Sequence, residues 1–357
     1  MIRKEHLLEV KGLKKYFEVK SGFLKRSKND LKAVNDISFF VEAGETLGIV
    51  GESGCGKSTI GNMIVQLLKP TAGEIYFEGE DITKLKGEAL RKKRSDIQII
   101  FQDPYSSLNP RMRVFDLIAE PLRTHESLTK KELENRVLEL METVGLKRTY
   151  ANRFPHEFSG GQRQRIGIAR AIGLNPKLIV CDEPVSALDV SIQSQILNLL
   201  VKLQKEFQIT YLFIAHGLPV VKHISDRIAV MYLGKIVELT TKEQLFIKPM
   251  HPYTEGLLSA IPVLDPTQRD LKEHRVLIKG DIPNPVHPPS GCVFHPRCPY
   301  ARELCTQMEP IFEEKESGHF AACHYPLREG KGIVHPREGN HHGDVHFESK
   351  KGDARFN

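Results

Sequence analysis

The sequence predicts an α/β fold in which a sheet of buried strands is covered by helices. From about residue 7 to residue 238, short β-branched runs alternate with amphipathic helical patterns, as in successive βαβ units. The clearest predicted strands are residues 46–50, 97–101, 178–181 and 210–215. A glycine-rich turn follows the first of them and precedes an amphipathic segment, which is the order of a phosphate-binding strand, loop and helix.

The chain is long enough for about two domains of roughly 150 residues each. Residues 1–261 carry the alternating pattern, interrupted at about 103–160 by a mostly helical stretch that we interpret as an insertion in the sheet domain. Prolines and four cysteines then mark a small, loop-rich module at 262–327. Residues 328–357 are mainly Gly, His and charged residues, so we predict a disordered tail.

Composition excludes some classes of function. No stretch approaches the roughly 20 consecutive apolar residues of a membrane-spanning helix, and the first residues lack the apolar block of a secretory signal. Any membrane association is therefore expected through partner proteins or surface charge. The net charge of +6 is modest, tryptophan is absent and aromatic residues are few, so we expect no nucleic-acid partner.

A glycine-rich loop after the strand at 46–50 is the strongest local signal. It comprises Gly51, Glu52, Ser53, Gly54, Cys55, Gly56, Lys57, Ser58 and Thr59. Glycines let backbone N–H groups surround phosphates, and the start of the next helix adds a favourable dipole. We expect Lys57 to hold the β- and γ-phosphates of a nucleotide and Ser58 to ligate Mg²⁺. A chance glycine-rich turn would not explain the order of strand, loop and helix.

Two carboxylates, Asp182 and Glu183, follow the apolar run at 178–181. Parallel sheets place their ligands at this end of a strand. We expect Asp182 to complete the magnesium site, and Glu183 to polarise a water molecule for attack on the γ-phosphate. Alone, such a pair is more often a solvated surface feature; the phosphate loop gives it significance.

A second anion-binding helix start is predicted just before the helical run at 163–174. It consists of Ser159, Gly160, Gly161 and Gln162, in which a hydroxyl and two small residues open a helix. One chain already has a phosphate cradle in its glycine-rich loop. A second cradle therefore suggests use on a nucleotide that is held by another chain.

With these elements in this order, the sequence resembles the ATP-binding cassette (ABC) family. The resemblance implies a P-loop NTPase cassette with a mixed core sheet, an antiparallel β subdomain and a helical insertion. It also implies that the Ser159 segment caps ATP held by the opposite subunit. Tyr16 resembles the family's adenine-stacking aromatic residue, and Gln102 resembles the glutamine that senses γ-phosphate and Mg²⁺. Asp189 resembles a residue of the interface loop, and His216 resembles the histidine that contacts γ-phosphate.

Two residues depart from the usual family pattern. Gly217 stands where the family usually has Asp, and Pro219 follows nearby. Proline is compatible with a first helical turn, so we expect the helix after His216 to form. With glycine in place of aspartate at position 217, the position of His216 is less firmly predicted.

The stretch from Gly280 to Cys305 resembles the tail of oligopeptide and dipeptide permease ATPases, and the phrases LKKYFEVK and MYLGKIVEL resemble their F-type subunit. This implies an ATP-hydrolysing importer subunit, peripheral on the cytoplasmic face of the membrane. The implied partners are a second ABC ATPase in a hetero- or homodimer, two membrane permease subunits and, indirectly, an extracellular peptide-binding protein. An importer of nickel or another small solute, or a non-transport ABC ATPase, remains an alternative.

The C-terminal module contains four clustered cysteines with the spacing Cys-x5-Cys-x6-Cys-x17-Cys. They are Cys292, Cys298, Cys305 and Cys323. In a reducing compartment, clustered thiols favour a metal centre over disulfides. Four thiolates suit either an iron-sulfur cluster or zinc. The family resemblance favours a [4Fe-4S] cluster, with Zn²⁺ or free thiols as the alternatives.

Overall fold

A computed structural model describes residues 6–21, 27–261 and 278–327 of the 357-residue chain. The predicted disordered tail at 328–357 and the first part of the predicted cysteine module, 262–277, lie outside the described residues.

Within the described ranges, the strands form an antiparallel sheet in the order β2-β1-β4-β5 and a mixed sheet in the order β11-β12-β10-β9-β3-β8-β7-β6. The strands are β1 (Leu8–Ser21), β2 (Ser27–Val41), β3 (Thr46–Val50), β4 (Ala72–Phe77), β5 (Glu80–Asp81), β6 (Ile97–Ile100), β7 (Leu178–Asp182), β8 (Thr210–Ala215), β9 (Arg227–Tyr232), β10 (Lys235–Thr241), β11 (Glu313–Glu316) and β12 (His319–Ala321). Strands β9, β3, β8, β7 and β6 run parallel, and β10, β12 and β11 are antiparallel to their neighbours. The mixed sheet and the antiparallel sheet confirm the predicted fold class.

Helices cover both faces of the mixed sheet and build the insertion. They are α1 (Lys57–Ile64), α2 (Gly87–Asp96), α3 (Pro104–Ser107), α4 (Val114–His125), α5 (Lys130–Thr143), α6 (Gly160–Ile172), α7 (Val190–Phe207), α8 (Leu218–Ile224), α9 (Lys242–Ile247), α10 (Pro252–Ser259) and α11 (Glu303–Gln307). Helices α3, α4 and α5 fall inside the predicted insertion.

The central strands are buried on both faces because successive side chains alternate between two hydrophobic cores. On β7, Leu178 and Val180 belong to the core that includes α1 and the antiparallel sheet. Ile179 and Cys181 belong to the other core, with helices α4 to α7. Such two-sided burial explains why these strands read as continuous apolar runs in the sequence.

The helix after His216 forms as predicted. Gly217 is the N-cap residue of α8, and proline stands in its first turn. Pro219 fits there because the first N–H groups of a helix have no intrahelical partner to lose.

The C-terminal segment extends the mixed sheet. Strand β12 pairs with β10, with Glu238 opposite Ala321 and Leu239 opposite Phe320. The carboxylate of Glu238 is fully buried, where it accepts hydrogen bonds from the backbone N–H groups of Met250 and His251 and contacts His319 Nε2 at 2.7 Å. The predicted boundary at residue 261 stays a prediction, but the two segments on either side of it share one sheet.

Protonation of His251 is expected to weaken the fold. Burial lowers the pKa of this side chain from 6.5 to about 4, and Glu238 only partly offsets the effect. As pH falls from 6.5 to about 4, His251 binds a proton in the unfolded chain but stays neutral in the folded chain. The free energy of unfolding should therefore fall by up to about 3 kcal/mol over this range.

Chemical denaturation at a series of pH values measures this loss. His251→Asn is the matched variant, because asparagine can still cap α10 but does not titrate. The variant should lose less stability than the natural chain between about pH 6.5 and 4. Identical pH slopes for the two chains would contradict the assignment.

Candidate active site

The candidate site lies where neighbouring parallel strands end. Strands β3, β8 and β7 are adjacent in the mixed sheet, so the residues that follow them meet at one edge. The glycine-rich loop follows β3, Glu183 follows β7, and His216 follows β8. This is the edge at which parallel α/β sheets bind ligands.

The glycine-rich loop folds tightly against the rest of the chain. Gly56 has a φ of 105°, and an added Cβ would lie 2.1 Å from the carbonyl oxygen of Ala33. At Gly51, an added Cβ would lie 2.2 Å from the carbonyl oxygen of Met231. Both positions therefore require glycine. Ser53 and Gly54 are exposed at the tip of the loop.

Lys57 points back into this loop. Its Nζ donates hydrogen bonds to the carbonyl oxygens of Gly51 at 2.8 Å and Glu52 at 3.1 Å. The side chain is only 4% exposed. The ammonium group thus occupies the centre of the loop, where it can exchange these carbonyl partners for phosphate oxygens.

Ser58 and Asp182 bring two oxygen atoms together beside the loop. Ser58 Oγ donates to Asp182 Oδ1 at 2.8 Å. Burial raises the pKa of Asp182, and the Ser58 hydrogen bond partly offsets this while the charge of Glu183 adds to it. A hard divalent cation favours oxygen ligands and stabilises an ionised carboxylate. This pair therefore fits a magnesium ion.

Glu183 is held by polar groups from three directions. Gln102 Nε2 donates to its Oε2 at 2.8 Å, His216 Nε2 lies 3.5 Å from its Oε1, and Lys57 Nζ lies 4.0 Å from the same oxygen. The backbone of Glu183 has a φ of 47°, in the left-handed region that non-glycine residues rarely adopt, and its N–H donates to the carbonyl of Ile214 at 3.0 Å. Strained backbone of this kind clusters at active sites.

The arrangement around Glu183 suits activation of a water molecule. The carboxylate is 6% exposed, whereas His216 is 49% exposed. Gln102 is also exposed. A water molecule entering from this side would meet an oriented carboxylate that can accept its proton. The structure thus brings Gln102, Asp182, Glu183 and His216 to the phosphate loop.

Ser159 is not part of this cluster. Its hydroxyl accepts a hydrogen bond from the N–H of Gln162 at 3.4 Å, and its own N–H donates to Gln162 Oε1 at 3.1 Å, which caps α6. Ser159 is exposed. At Gly161 an added Cβ would lie 2.5 Å from Ile192 Cγ2, and at Gly160 one would lie 3.2 Å from Leu188 Cδ2. The small residues therefore let α6 approach the segment that carries α7.

The contacts that the structure gives for Tyr16 and Asp189 are with residues outside the cluster. Tyr16, on β1, donates from its hydroxyl to Asn35 Oδ1 at 2.6 Å, and Lys32 Nζ lies 5.9 Å from its ring centroid. Asp189 is exposed at the N-cap of α7 and makes no side-chain capping bond there. Adenine stacking for Tyr16 and interface contact for Asp189 remain predictions.

Two residues that were not predicted from the sequence contact the loop. The hydroxyl of Tyr253 accepts a hydrogen bond from the N–H of Glu52 at 3.0 Å. Arg297 binds the Glu52 carboxylate with both terminal nitrogens, at 2.7 and 2.9 Å. Arg297 lies 245 positions away along the chain. No local pattern joins either residue to the loop.

The four C-terminal cysteines share one small cavity. Cys292, Cys298, Cys305 and Cys323 all line a space of about 20 Å³. Burial raises the pKa of Cys292, and it raises those of Cys298 and Cys323 to about 12. A metal would bind these cysteines as thiolates, so its binding would release their protons.

The predicted [4Fe-4S] cluster finds no support in this arrangement. Among residues 6–21, 27–261 and 278–327, no group of three or more His, Cys, Asp or Glu side chains is arranged to hold a metal ion. A cavity of this size holds about one water molecule, so a cluster would require the cavity to expand.

Comparisons with protein families agree with this organisation. Residues 34–186 match the ABC transporter family, and residues 237–305 match the C-terminal region of oligopeptide/dipeptide transporters. The chain is 55% identical over 321 residues to the oligopeptide transport ATP-binding protein AppF of Bacillus subtilis, with coverage of 90% of this chain and 97% of that protein. It is 53% identical to OppF of Salmonella typhimurium, with coverage of 86% and 92%.

Solved structures show the same cassette fold. The dimeric structure of MJ0796, a bacterial ABC transporter cassette, matches with a TM-score of 0.59 and 31% identity, covering 66% of this chain and 98% of that one. A post-hydrolysis dimer of MJ0796 bound to ADP and Pi matches with the same TM-score and 30% identity, covering 66% of this chain and 98% of that one.

Replacing Glu183 with glutamine should greatly slow turnover while nucleotide binding persists. The Glu183→Gln side chain keeps the shape and can still contact Gln102, but it cannot accept a proton. We expect ATP hydrolysis to fall by about a hundredfold or more. Phosphate release and ATP affinity should both be measured. Glu206→Gln, at an exposed position on α7, is the matched control, and turnover at the natural rate in Glu183→Gln would remove Glu183 from this role.

Proposed function

Because this chain belongs to the ATP-binding subunits of ABC transporters, in the oligopeptide/dipeptide group, we propose that it hydrolyses ATP to drive peptide import. The observation that carries the proposal is the convergence of the Lys57 loop, the Ser58–Asp182 pair and the Gln102–Glu183 pair at one sheet edge. The peptide cargo is supported by relatives whose names specify oligopeptide or dipeptide transport.

The chain's own residues account for the chemical step. Lys57 and the N–H groups of the loop and the first turn of α1 bind the phosphates of ATP. Ser58 and Asp182 would hold Mg²⁺, with Gln102 as a further ligand, and the ion would supply positive charge beside the phosphates. Glu183 orients a water molecule and accepts its proton as the water oxygen bonds to the γ-phosphorus and the bond to ADP breaks.

The groups around Glu183 keep that carboxylate in place. Gln102 donates to one of its oxygens and His216 lies beside the other. In this proposal His216 also contacts the γ-phosphate, since its side chain is half exposed and its Nε2 lies 3.5 Å from Glu183 Oε1. Phosphoryl transfer depends mainly on such positioning and on charge stabilisation.

A pair of cassettes would complete each nucleotide site. ABC ATPases typically work as dimers attached to membrane permease subunits, and both MJ0796 structures that this chain resembles are dimeric. Ser159 and Asp189 are exposed and lie outside the Lys57 cluster, which is consistent with use on the partner's nucleotide. We propose that ATP lies between the Lys57 loop of one cassette and the Ser159 helix end of the other, with adenine on Tyr16.

The subunit would reach the membrane through its partners. Within the described parts of the chain, no helix has both the length and the apolar character needed to cross a bilayer. We propose a peripheral position on the cytoplasmic face, on two permease subunits that receive peptide from an extracellular binding protein. The segment after Gln102, where Tyr105 is 64% exposed, would contact the permease.

Reconstitution with the cognate permease subunits and binding protein tests the function. Peptide should stimulate ATP hydrolysis and accumulate inside the vesicles. Stimulation by nickel or another small solute, without any response to peptide, would overturn the peptide assignment. ATP hydrolysis that never depends on the permease would overturn the transport function.

The site across the dimer interface can be tested at Ser159. Aspartate caps helices as well as serine does, so Ser159→Asp should preserve α6 while placing a negative charge against the partner's γ-phosphate. Hydrolysis in the assembled transporter should fall by about a hundredfold, while the isolated chain binds ATP with unchanged affinity. Ser127→Asp, at an exposed loop position of the helical insertion, should leave both quantities unchanged. Loss of ATP affinity in isolated Ser159→Asp would instead place Ser159 at its own chain's nucleotide.

We also propose that the four-cysteine cavity binds metal, as a [4Fe-4S] cluster or Zn²⁺. The proposal rests on the cysteine spacing and on the four thiols that line one cavity, which would have to expand around a cluster. Anaerobic purification followed by iron, sulfide and zinc analysis should find one centre per chain, lost in Cys323→Ser and kept in Cys181→Ala. One zinc per chain without iron-sulfur absorbance would exclude the cluster. Absence of both metals would overturn the proposal and indicate free thiols.

A further inference from the structure

Arg297 joins the C-terminal module to the phosphate loop through a two-pronged ion pair. Its two terminal nitrogens donate to the two carboxylate oxygens of Glu52, at 2.7 and 2.9 Å. The Arg297 side chain is 8% exposed and that of Glu52 is 26% exposed. A paired geometry of this kind fixes both groups in orientation as well as in distance.

An aromatic cluster holds Arg297 in this position. One of its terminal nitrogens also donates to the hydroxyl of Tyr232 at 3.4 Å. The Tyr232 ring packs against Tyr253 and Phe294, with centroids 4.8 and 5.2 Å away. All three rings are buried. The guanidinium group is therefore supported by packed side chains from the cassette and from the C-terminal module.

Glu52 is restrained at every polar group it has. Arg297 binds its carboxylate, the Tyr253 hydroxyl accepts from its N–H at 3.0 Å, and its carbonyl oxygen accepts from Lys57 Nζ at 3.1 Å. Lys57 is the residue expected to bind the phosphates. Glu52 thus links the C-terminal module to that ammonium group: Arg297 binds its carboxylate, and Lys57 binds its carbonyl oxygen.

The charge on Glu52 gives the ion pair a consequence for nucleotide binding. An unpaired carboxylate in the phosphate loop would repel the phosphates and would compete for Lys57. Arg297 neutralises that charge through its two hydrogen bonds to the carboxylate. It also holds the loop backbone in the shape that directs N–H groups towards phosphate.

We propose that Arg297 is a positioning residue for ATP binding, which acts through Glu52 and sets the shape and charge of the phosphate loop. The inference rests on the proposed ATPase function and adds to it a residue from outside the cassette's own phosphate-binding elements. Since Arg297 directly precedes Cys298, the thiol-lined cavity and the phosphate loop are connected by a single short segment.

Steady-state hydrolysis and equilibrium ATP binding, on the full chain and in the assembled transporter, test the proposal. Arg297→Gln should raise the KM and the Kd for MgATP by about tenfold, with a much smaller change in kcat. Arg297→Lys should recover part of this affinity, because it restores charge but not the two-pronged geometry. Arg302→Gln is the matched control, because Arg302 belongs to the same module but packs over Tyr325.

A double-mutant cycle gives a result that a general loss of stability would not produce. In Glu52→Gln the carboxylate charge is absent, so adding Arg297→Gln should cost little further affinity. Fully additive losses, or an unchanged KM in Arg297→Gln, would overturn the inference. If Arg297→Gln does not fold, the comparison of Arg297→Lys with Glu52→Gln decides the question. A natural chain that neither binds nor hydrolyses ATP would instead overturn the proposed function itself.

Discussion

The structure depends on keeping one ammonium group, Lys57, buried at the edge of the mixed sheet. A buried charge is costly unless its surroundings supply partners. Here two loop carbonyls accept its hydrogen bonds and Glu183 stands 4.0 Å away. The tight loop, which requires glycine at Gly51 and Gly56, and the left-handed backbone of Glu183 are the structural requirements for holding that ammonium group in place. Phosphate oxygens can replace the carbonyls as acceptors for the ammonium group.

In the function proposed above, the nucleotide site is incomplete within one chain. Lys57, Asp182, Glu183, Gln102 and His216 are brought together by adjacent strand ends, whereas Ser159 caps a separate helix and faces solvent. A nucleotide held in the loop would present its outer face to solvent. Pairing with a second cassette would cover that face and add a second helix N-terminus to the phosphates. In this proposal, hydrolysis would control whether the two cassettes stay together and would thereby act on the membrane partner.

Several strands, the glycine-rich loop and the helix after His216 could be predicted from the sequence, because short local segments determine them. The strands at 46–50 and 210–215 were predicted with their observed bounds, and those at 97 and 178 differ by one residue at their ends. Two-sided burial makes such strands uniformly apolar, and glycine-rich loops have a fixed spacing. The helix at 218–224 also formed despite Gly217 and Pro219, because helix starts tolerate both.

Other features depend on contacts between distant segments. Nothing in residues 313–321 shows that they extend the sheet through β10, because strand pairing at an edge is set by packing. The Arg297–Glu52 pair joins positions 245 residues apart. Cysteine spacing predicted that four thiols would come together, which they do around one cavity, but spacing does not determine ligand geometry.

The most direct measurement is an electron cryomicroscopy structure of the assembled transporter with MgATP, prepared with Glu183→Gln so that the nucleotide persists. The account predicts that Lys57 Nζ leaves the carbonyls of Gly51 and Glu52 for the γ-phosphate, and that the serine-glycine helix end of the opposite cassette covers the same phosphate. A nucleotide contacted by one cassette alone, with Lys57 still bound to its own loop, would contradict it.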